Sequence, residues 1–249
     1  MIQLEDLHKR YGEKLVLDGL TLAVRPGETM VILGASGSGK SVTLRHVIGL
    51  TRPDRGRVVS CGEEIQDLPE EALTDVRRKI GFLFQGGALF DSMNVFDNLA
   101  FPLREAGWGR ERVEERVAEV LGLVDLDPVS VRDLMPSSLS GGMRKRVALA
   151  RAIAVTPVAI LYDEPTTGLD PITAKTINQL IVSMQERLQV TSIVVTHDIV
   201  SAFHVGDRIA FLHEGKIRFL GTTQQARASQ DPLFSAFIRG GVLETNDGA

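Results

Sequence analysis

Residues 29–41 read TMVILGASGSGKS, and the parsing of this stretch decides the fold. TMVIL is an unbroken apolar and β-branched run, as expected of a strand covered on both faces. Gly34, Ala35, Ser36, Gly37, Ser38, Gly39, Lys40 and Ser41 then satisfy G-x-x-x-x-G-K-[ST]. Leu44, Val47 and Ile48 follow at helical spacing. In a strand, loop and helix of this kind the loop N–H groups surround a β-phosphate. Lys40 neutralises β- and γ-oxygens, and Ser41 offers its hydroxyl to Mg²⁺.

Three more apolar runs stand out, IGFLFQ (80–85), VAILYDE (158–164) and SIVVTHD (192–198). Segments with helical spacing lie among them, including Ile177, Leu180, Ile181 and Met184, so the class is α/β. Each run ends in polar chemistry. Ligands of open α/β sheets bind beyond the carboxyl ends of the strands, so Gly34, Gln85, the pair Asp163 and Glu164, and His197 are expected at one site. Asp163 can hold the Mg²⁺ shell, Glu164 can orient or deprotonate the attacking water, and Gln85 can offer its amide oxygen to either. His197 fits a γ-phosphate sensor. Tyr11, near the N-terminus, offers an aromatic face for adenine.

The 249 residues contain no linker-like or low-complexity tract, which predicts a single domain over 1–249. Residues 1–25 alternate as antiparallel strands, with Leu20, Leu22 and Val24 on one face, and 209–221 form a hairpin turning at His213 to Lys216. Residues from about 88 to 155 carry helix signals and are expected as an inserted helical subdomain. RERVEERVAEVLGLV, from Arg110, is its amphipathic stretch, whose charge alternation reads as a solvated face. A short tail is expected from about 222 to 249. A net charge of −4 gives no general field for nucleic acid or an anionic bilayer. Cys61, the single cysteine, is expected as a small buried thiol near a turn. Acidic residues at 5 and 6 and the lack of a run of about 20 apolar residues predict a soluble, cytosolic protein.

LSGGMRKRVALARA (139–152) opens like a second helix N-terminus prepared for an anion. With this segment the chain resembles the ATP-binding cassette (ABC) ATPases. Six motifs in order carry the resemblance: Tyr11, GASGSGKS, Gln85, LSGGM, LYDEP followed by TTGLD, and His197. The fold implied is a RecA-like P-loop NTPase core with an N-terminal antiparallel β subdomain and the helical insert. ATP and Mg²⁺ are the implied cofactors, with Ser41, Gln85 and Asp163 around the metal and Glu164 and His197 as catalytic groups. The family pairs two copies head to tail. Ser140, Gly141 and Gly142 would then contact the γ-phosphate on the partner's P-loop, and Asp170 would cross the seam.

The resemblance also implies an integral membrane permease, docking near Leu89, Phe90, Met93, Val95 and Phe96. GGALFDSMNVFDNLAFPLRE and Met143 are similar to the ATPases of Mla and MCE-associated phospholipid transporters. An MCE-type lipid-binding protein and a peripheral place on the cytoplasmic face of the inner membrane follow as expectations. The alternatives are the ATPase of a small-solute importer and a soluble ABC ATPase without a transporter.

Overall fold

A computed structural model describes residues 2–240. In chain order its elements are β1 (Ile2–Tyr11), β2 (Lys14–Val24), β3 (Thr29–Leu33), α1 (Lys40–Val47), β4 (Arg55–Ser60), β5 (Glu63–Glu64), α2 (Glu70–Arg78) and β6 (Ile80–Leu83). There follow α3 (Val95–Glu105), α4 (Arg110–Leu123), α5 (Pro128–Val131), a 3-10 turn at Pro136–Ser138, α6 (Gly141–Ile153), β7 (Ala159–Asp163) and α7 (Pro171–Leu188). The chain ends with β8 (Thr191–Thr196), α8 (Ile199–Val205), β9 (Arg208–His213), β10 (Lys216–Thr222), α9 (Thr223–Arg227) and α10 (Pro232–Gly240). Two units result, one from residues up to 68 with those from 193 on, the other from residues 69–192.

In the first unit, period-two alternation gives the antiparallel sheet β2-β1-β4-β5. Leu20, Leu22 and Val24 are buried on its inner face with Leu4 and Leu17. The β1–β2 ladder runs from Ile2 opposite Val24 to Tyr11 opposite Lys14. Its register slips between Leu4 and Leu7, where Asp6 takes a φ of 49°. Gly56 crosses this bulge so closely that a Cβ would strike the Asp6 carbonyl, a position only glycine fills. Strands of this unit also run in the order β10-β9-β3-β8. There β3 is parallel to β9 and buried at every residue, as its unbroken apolar run requires. β9 and β10 form the expected hairpin, with His213 opposite Lys216.

The C-terminal segment is more ordered than its sequence suggests. Through residue 240 it forms α9 and α10, whose Phe234 and Phe237 rings lie 5.0 and 4.9 Å from that of Phe211. The rest of the expected tail, 241–249, lies outside the described residues. Cys61 is not buried: it sits partly exposed in the β4–β5 turn with a φ of 52°.

The second unit pairs β6 and β7 in parallel, from Ile80 opposite Ala159 to Leu83 opposite Tyr162. Helices α3 to α6 occupy residues 95–153. Val113, Val117, Val120 and Leu121 form the buried stripe of α4, as amphipathic spacing dictates. One charge of the expected solvated face is not solvated. Arg116 turns inward and donates Nε to the Ala154 carbonyl and Nη2 to that of Ile153, each at 2.9 Å. It thereby adds side-chain donors to the carbonyls at the end of α6, where that of Ile153 also accepts the Thr156 N–H at 3.1 Å. Among the described residues no helix is long and apolar enough to cross a membrane.

Candidate nucleotide site

The first unit carries the glycine-rich loop. A Cβ on Gly34 would run into the Leu212 carbonyl of β9, and Gly37 and Gly39 adopt φ angles of 79° and 108°. The loop therefore depends on residues without side chains. Helix α1 is fastened to it by Thr43, whose N–H and hydroxyl donate to the Gly39 carbonyl at 2.9 and 3.0 Å. Lys40 is only 6% exposed. Its ammonium donates to the carbonyls of Gly34 at 2.8 Å and Ala35 at 3.0 Å, so the cation is folded into the loop that the motif assigns to phosphate. A buried cation, open backbone turns and a helix start together fit a triphosphate, with Ser41 one residue on as a hard oxygen donor.

Tyr11 ends β1 with 46% of its surface exposed, its hydroxyl 3.5 Å from that of Thr51. The Lys9 ammonium stands 5.5 Å from the ring centroid. His197 is exposed just after β8. Its position is set by the next residue, because Asp198 donates its N–H to the Thr196 hydroxyl at 3.0 Å and caps α8 through Val200 N–H at 2.9 Å.

The second unit carries the remaining candidates. Gln85 is exposed two residues beyond β6, and Asp163 closes β7. Glu164 is 8% exposed with a φ of 48°, a left-handed conformation that costs on the order of 1–2 kcal/mol in a residue with a Cβ. Its Oε2 accepts the Thr167 hydroxyl at 3.2 Å.

Ser140 caps α6, its hydroxyl accepting the Met143 N–H at 3.2 Å. One donor of the expected bare helix start is thus committed within the helix. Gly142 approaches α7 so closely that a Cβ would stand 2.5 Å from Thr173 Cγ2. Asp170 caps α7, accepting the N–H groups of Ile172 and Thr173 at 3.0 Å and the Thr173 hydroxyl at 2.5 Å. These bonds, the Thr173 hydroxyl foremost, hold its carboxyl below the usual range. The structure therefore brings Ser140 to Gly142 and Asp170 together on adjoining helix starts.

Lys145 escaped the sequence reading inside a run of basic residues. It is 6% exposed and donates to the Gln85 carbonyl by a short bond and to the Glu164 carbonyl at 3.5 Å. Burial lowers its pKa, opposed by the charges of Asp163 and Glu164. Its signal was periodicity: Lys145 shares a helix face with Ala148, Leu149 and Ala152, all buried.

Of the five apolar residues expected at a docking site, Val95 is fully buried as the first residue of α3 and is withdrawn. Phe96 lies beneath the Arg132 guanidinium, 4.7 Å from its ring centroid. The groove beside this segment has a volume of about 580 Å³ and is lined by Phe82, Phe84, Phe90, Phe101 and Trp108, with Arg77, Arg78 and Arg151 among them. Of the expected residues only Phe90 lines it.

A phosphate loop with a buried lysine, on an α/β scaffold with a second capped helix start, defines a P-loop nucleoside triphosphatase. The ABC transporter family profile matches residues 17–167, and the chain belongs to that family as an ATP-binding, ATP-hydrolysing cassette. It is 39% identical over 243 residues to the intermembrane phospholipid transport system ATP-binding protein MlaF of Haemophilus influenzae, covering 96% of this chain and 90% of that one. Identity is also 39%, over 240 residues, to the probable ribonucleotide transport ATP-binding protein mkl of Mycobacterium tuberculosis. There the alignment covers 96% of this chain but 66% of the relative's length. Among solved structures, the dimeric post-hydrolysis cassette MJ0796 bound to ADP and Pi superposes with a TM-score of 0.82 at 35% identity, covering 90% of this chain and 99% of that one. For cbiO1 from Clostridium perfringens the TM-score is 0.84 at 28% identity, with 96% and 94% covered.

Proposed function

We propose that the chain powers phospholipid movement between bacterial envelope membranes, as the ATPase of an ABC transporter peripheral to the cytoplasmic face of the inner membrane. The observation that carries this reading is the near end-to-end similarity to MlaF. In this assignment Tyr11 stacks on adenine, residues 34–41 wrap the phosphates and Lys40 balances the β/γ charge. Mg²⁺ would take oxygen from Ser41, Gln85 and Asp163. Among the described residues no cluster of three His, Cys, Asp or Glu could hold a metal; Mg²⁺ commonly uses few carboxylates and completes its shell with water and phosphate. Glu164 orients the attacking water and His197 contacts the γ-phosphate.

Two copies pair head to tail, so that Ser140, Gly141, Gly142 and Asp170 serve the partner's nucleotide. Support comes from the adjoining helix starts described above and from the dimeric MJ0796 relative. Loss of the γ-phosphate on hydrolysis would remove contacts joining the copies and let them part. The apolar groove around Phe84 and Phe101 receives a cytosolic helix of the permease, and an MCE-type protein completes the assembly.

A second reading, transport of a small polar solute, draws on the equal identity to mkl. Purification of the complex from its native membrane, followed by identification of bound lipid and of ATP-dependent lipid transfer between vesicles, separates the two. Bound phospholipid and ATP-driven transfer support the first. A complex free of lipid whose ATPase responds to a soluble solute overturns it.

A further inference from the structure

Strands β6 and β7 run parallel, and their ladder ends with Leu83 opposite Tyr162. Two residues further on, the same register sets Gln85 level with Glu164. Beyond a ladder's end a backbone carbonyl turns to donors outside that strand pair. Both find the same one. The Lys145 ammonium, reaching in from α6, donates to the Gln85 carbonyl and, at 3.5 Å, to the Glu164 carbonyl. The Thr167 N–H also donates to that Glu164 oxygen, at 3.3 Å. Glu164 holds a left-handed backbone angle, and such angles persist where surrounding bonds over-determine them.

We propose that Lys145 is a positioning residue for ATP hydrolysis: its buried ammonium clips the open ends of β6 and β7 together, fixing the turn that aims the Glu164 carboxylate. Helix α6 carries a second clip further along, where Arg151 donates to the Gly87 carbonyl at 3.1 Å. The loop after Gln85 is thus strapped at two points to the helix that begins beside Ser140. The inference rests on the assignment of Glu164 to the attacking water.

The test compares steady-state ATPase kinetics and nucleotide affinity in the purified full chain. Lys145→Met is expected to lower kcat about tenfold or more while leaving KM and ATP affinity within about twofold, since a misaimed group costs rate rather than binding. Lys145→Arg, which keeps a cation and its N–H donors, recovers at least about a third of the parental kcat. Arg116→Met removes a different buried cation, bound to the Ala154 and Ile153 carbonyls at the end of α6, and serves as the control for lost stability; its kcat stays within about twofold of the parent. If Lys145→Met does not fold, Lys145→Ala, which also lacks a donor, takes its place with the same expectation. The inference is overturned if Lys145→Met keeps kcat within about twofold, if Arg116→Met loses as much, or if Lys145→Arg turns over no faster than Lys145→Met. Failure of Glu164→Gln to reduce turnover would instead remove the assignment beneath it.

Discussion

The Thr167 hydroxyl donates to Glu164 Oε2 at 3.2 Å, so the carboxylate is restrained by a side chain three residues away as well as by its own left-handed backbone. Glu164→Gln keeps the shape and loses the carboxylate proposed to act on the attacking water. Turnover is expected to fall about 10²–10⁴-fold with ATP binding retained, measured by phosphate release alongside nucleotide binding. Thr167→Val removes only the restraint and should lower kcat about three- to tenfold with KM unchanged.

The approach of Gly142 to Thr173 gives a test by stability. Gly142→Ala places a methyl 2.5 Å from Thr173 Cγ2 and should destabilise by about 1–3 kcal/mol, as overpacking does. Thr173→Ser deletes that methyl and keeps the hydroxyl that binds Asp170. A double-mutant cycle by denaturant unfolding is expected to show the pair less damaging than the sum.

Arg116→Met removes the side-chain donor to the Ala154 carbonyl and one of two donors to that of Ile153, which keeps the Thr156 N–H, and should cost about 1–3 kcal/mol. Thermal and denaturant unfolding check this. The sequence could not show it, because Arg116 lies 37 and 38 residues from its acceptors and sits among glutamates and arginines that do face water. Lys145 was hidden in the same way between Arg144 and Arg146. By contrast, the phosphate loop, the helix start at Ser140 and the four apolar strands were legible, since neighbours in sequence alone determine a glycine turn, a helix start or a run covered on both faces; the Ser140 cap was not, because the segment reads as a bare start open to an anion. The apolar groove fell between these cases. Phe82 and Phe84 belong to one strand end, but Phe101 and Trp108 join them only through the packing of α3, which also buries Val95.

His46 is buried on α1, with Nδ1 2.8 Å from the Val42 carbonyl and, among the described residues, no hydrogen-bond partner at Nε2. Burial lowers its pKa; the Val42 carbonyl opposes this, Lys9 adds to it and Asp54 opposes it. With the folded value below the unfolded value of about 6.5, the unfolded chain takes up the proton first. Stability should therefore hold above that pH and fall as pH drops through it. His46→Leu should flatten the pH dependence of the unfolding midpoint between about pH 5 and 7.

The groove predicts a separation of activities. Phe101→Glu places a charge in its apolar wall, where Phe101 packs edge to face on Phe90 with centroids 5.2 Å apart. Basal ATPase of the purified chain should remain within about twofold, while co-purification with an integral membrane subunit is lost. Retention of the membrane subunit would place the docking surface elsewhere.

The Leu212 carbonyl occupies the space a Gly34 side chain would need, and the Gly215 carbonyl of the same hairpin accepts the Asp18 N–H of β2 at 3.0 Å. The hairpin is thus the wall against which the nucleotide loop is packed, tied directly to the sheet that contains Tyr11. Amide exchange along residues 208–222 should then slow when ATP arrives, making a segment with no assigned role in catalysis a reporter of occupancy.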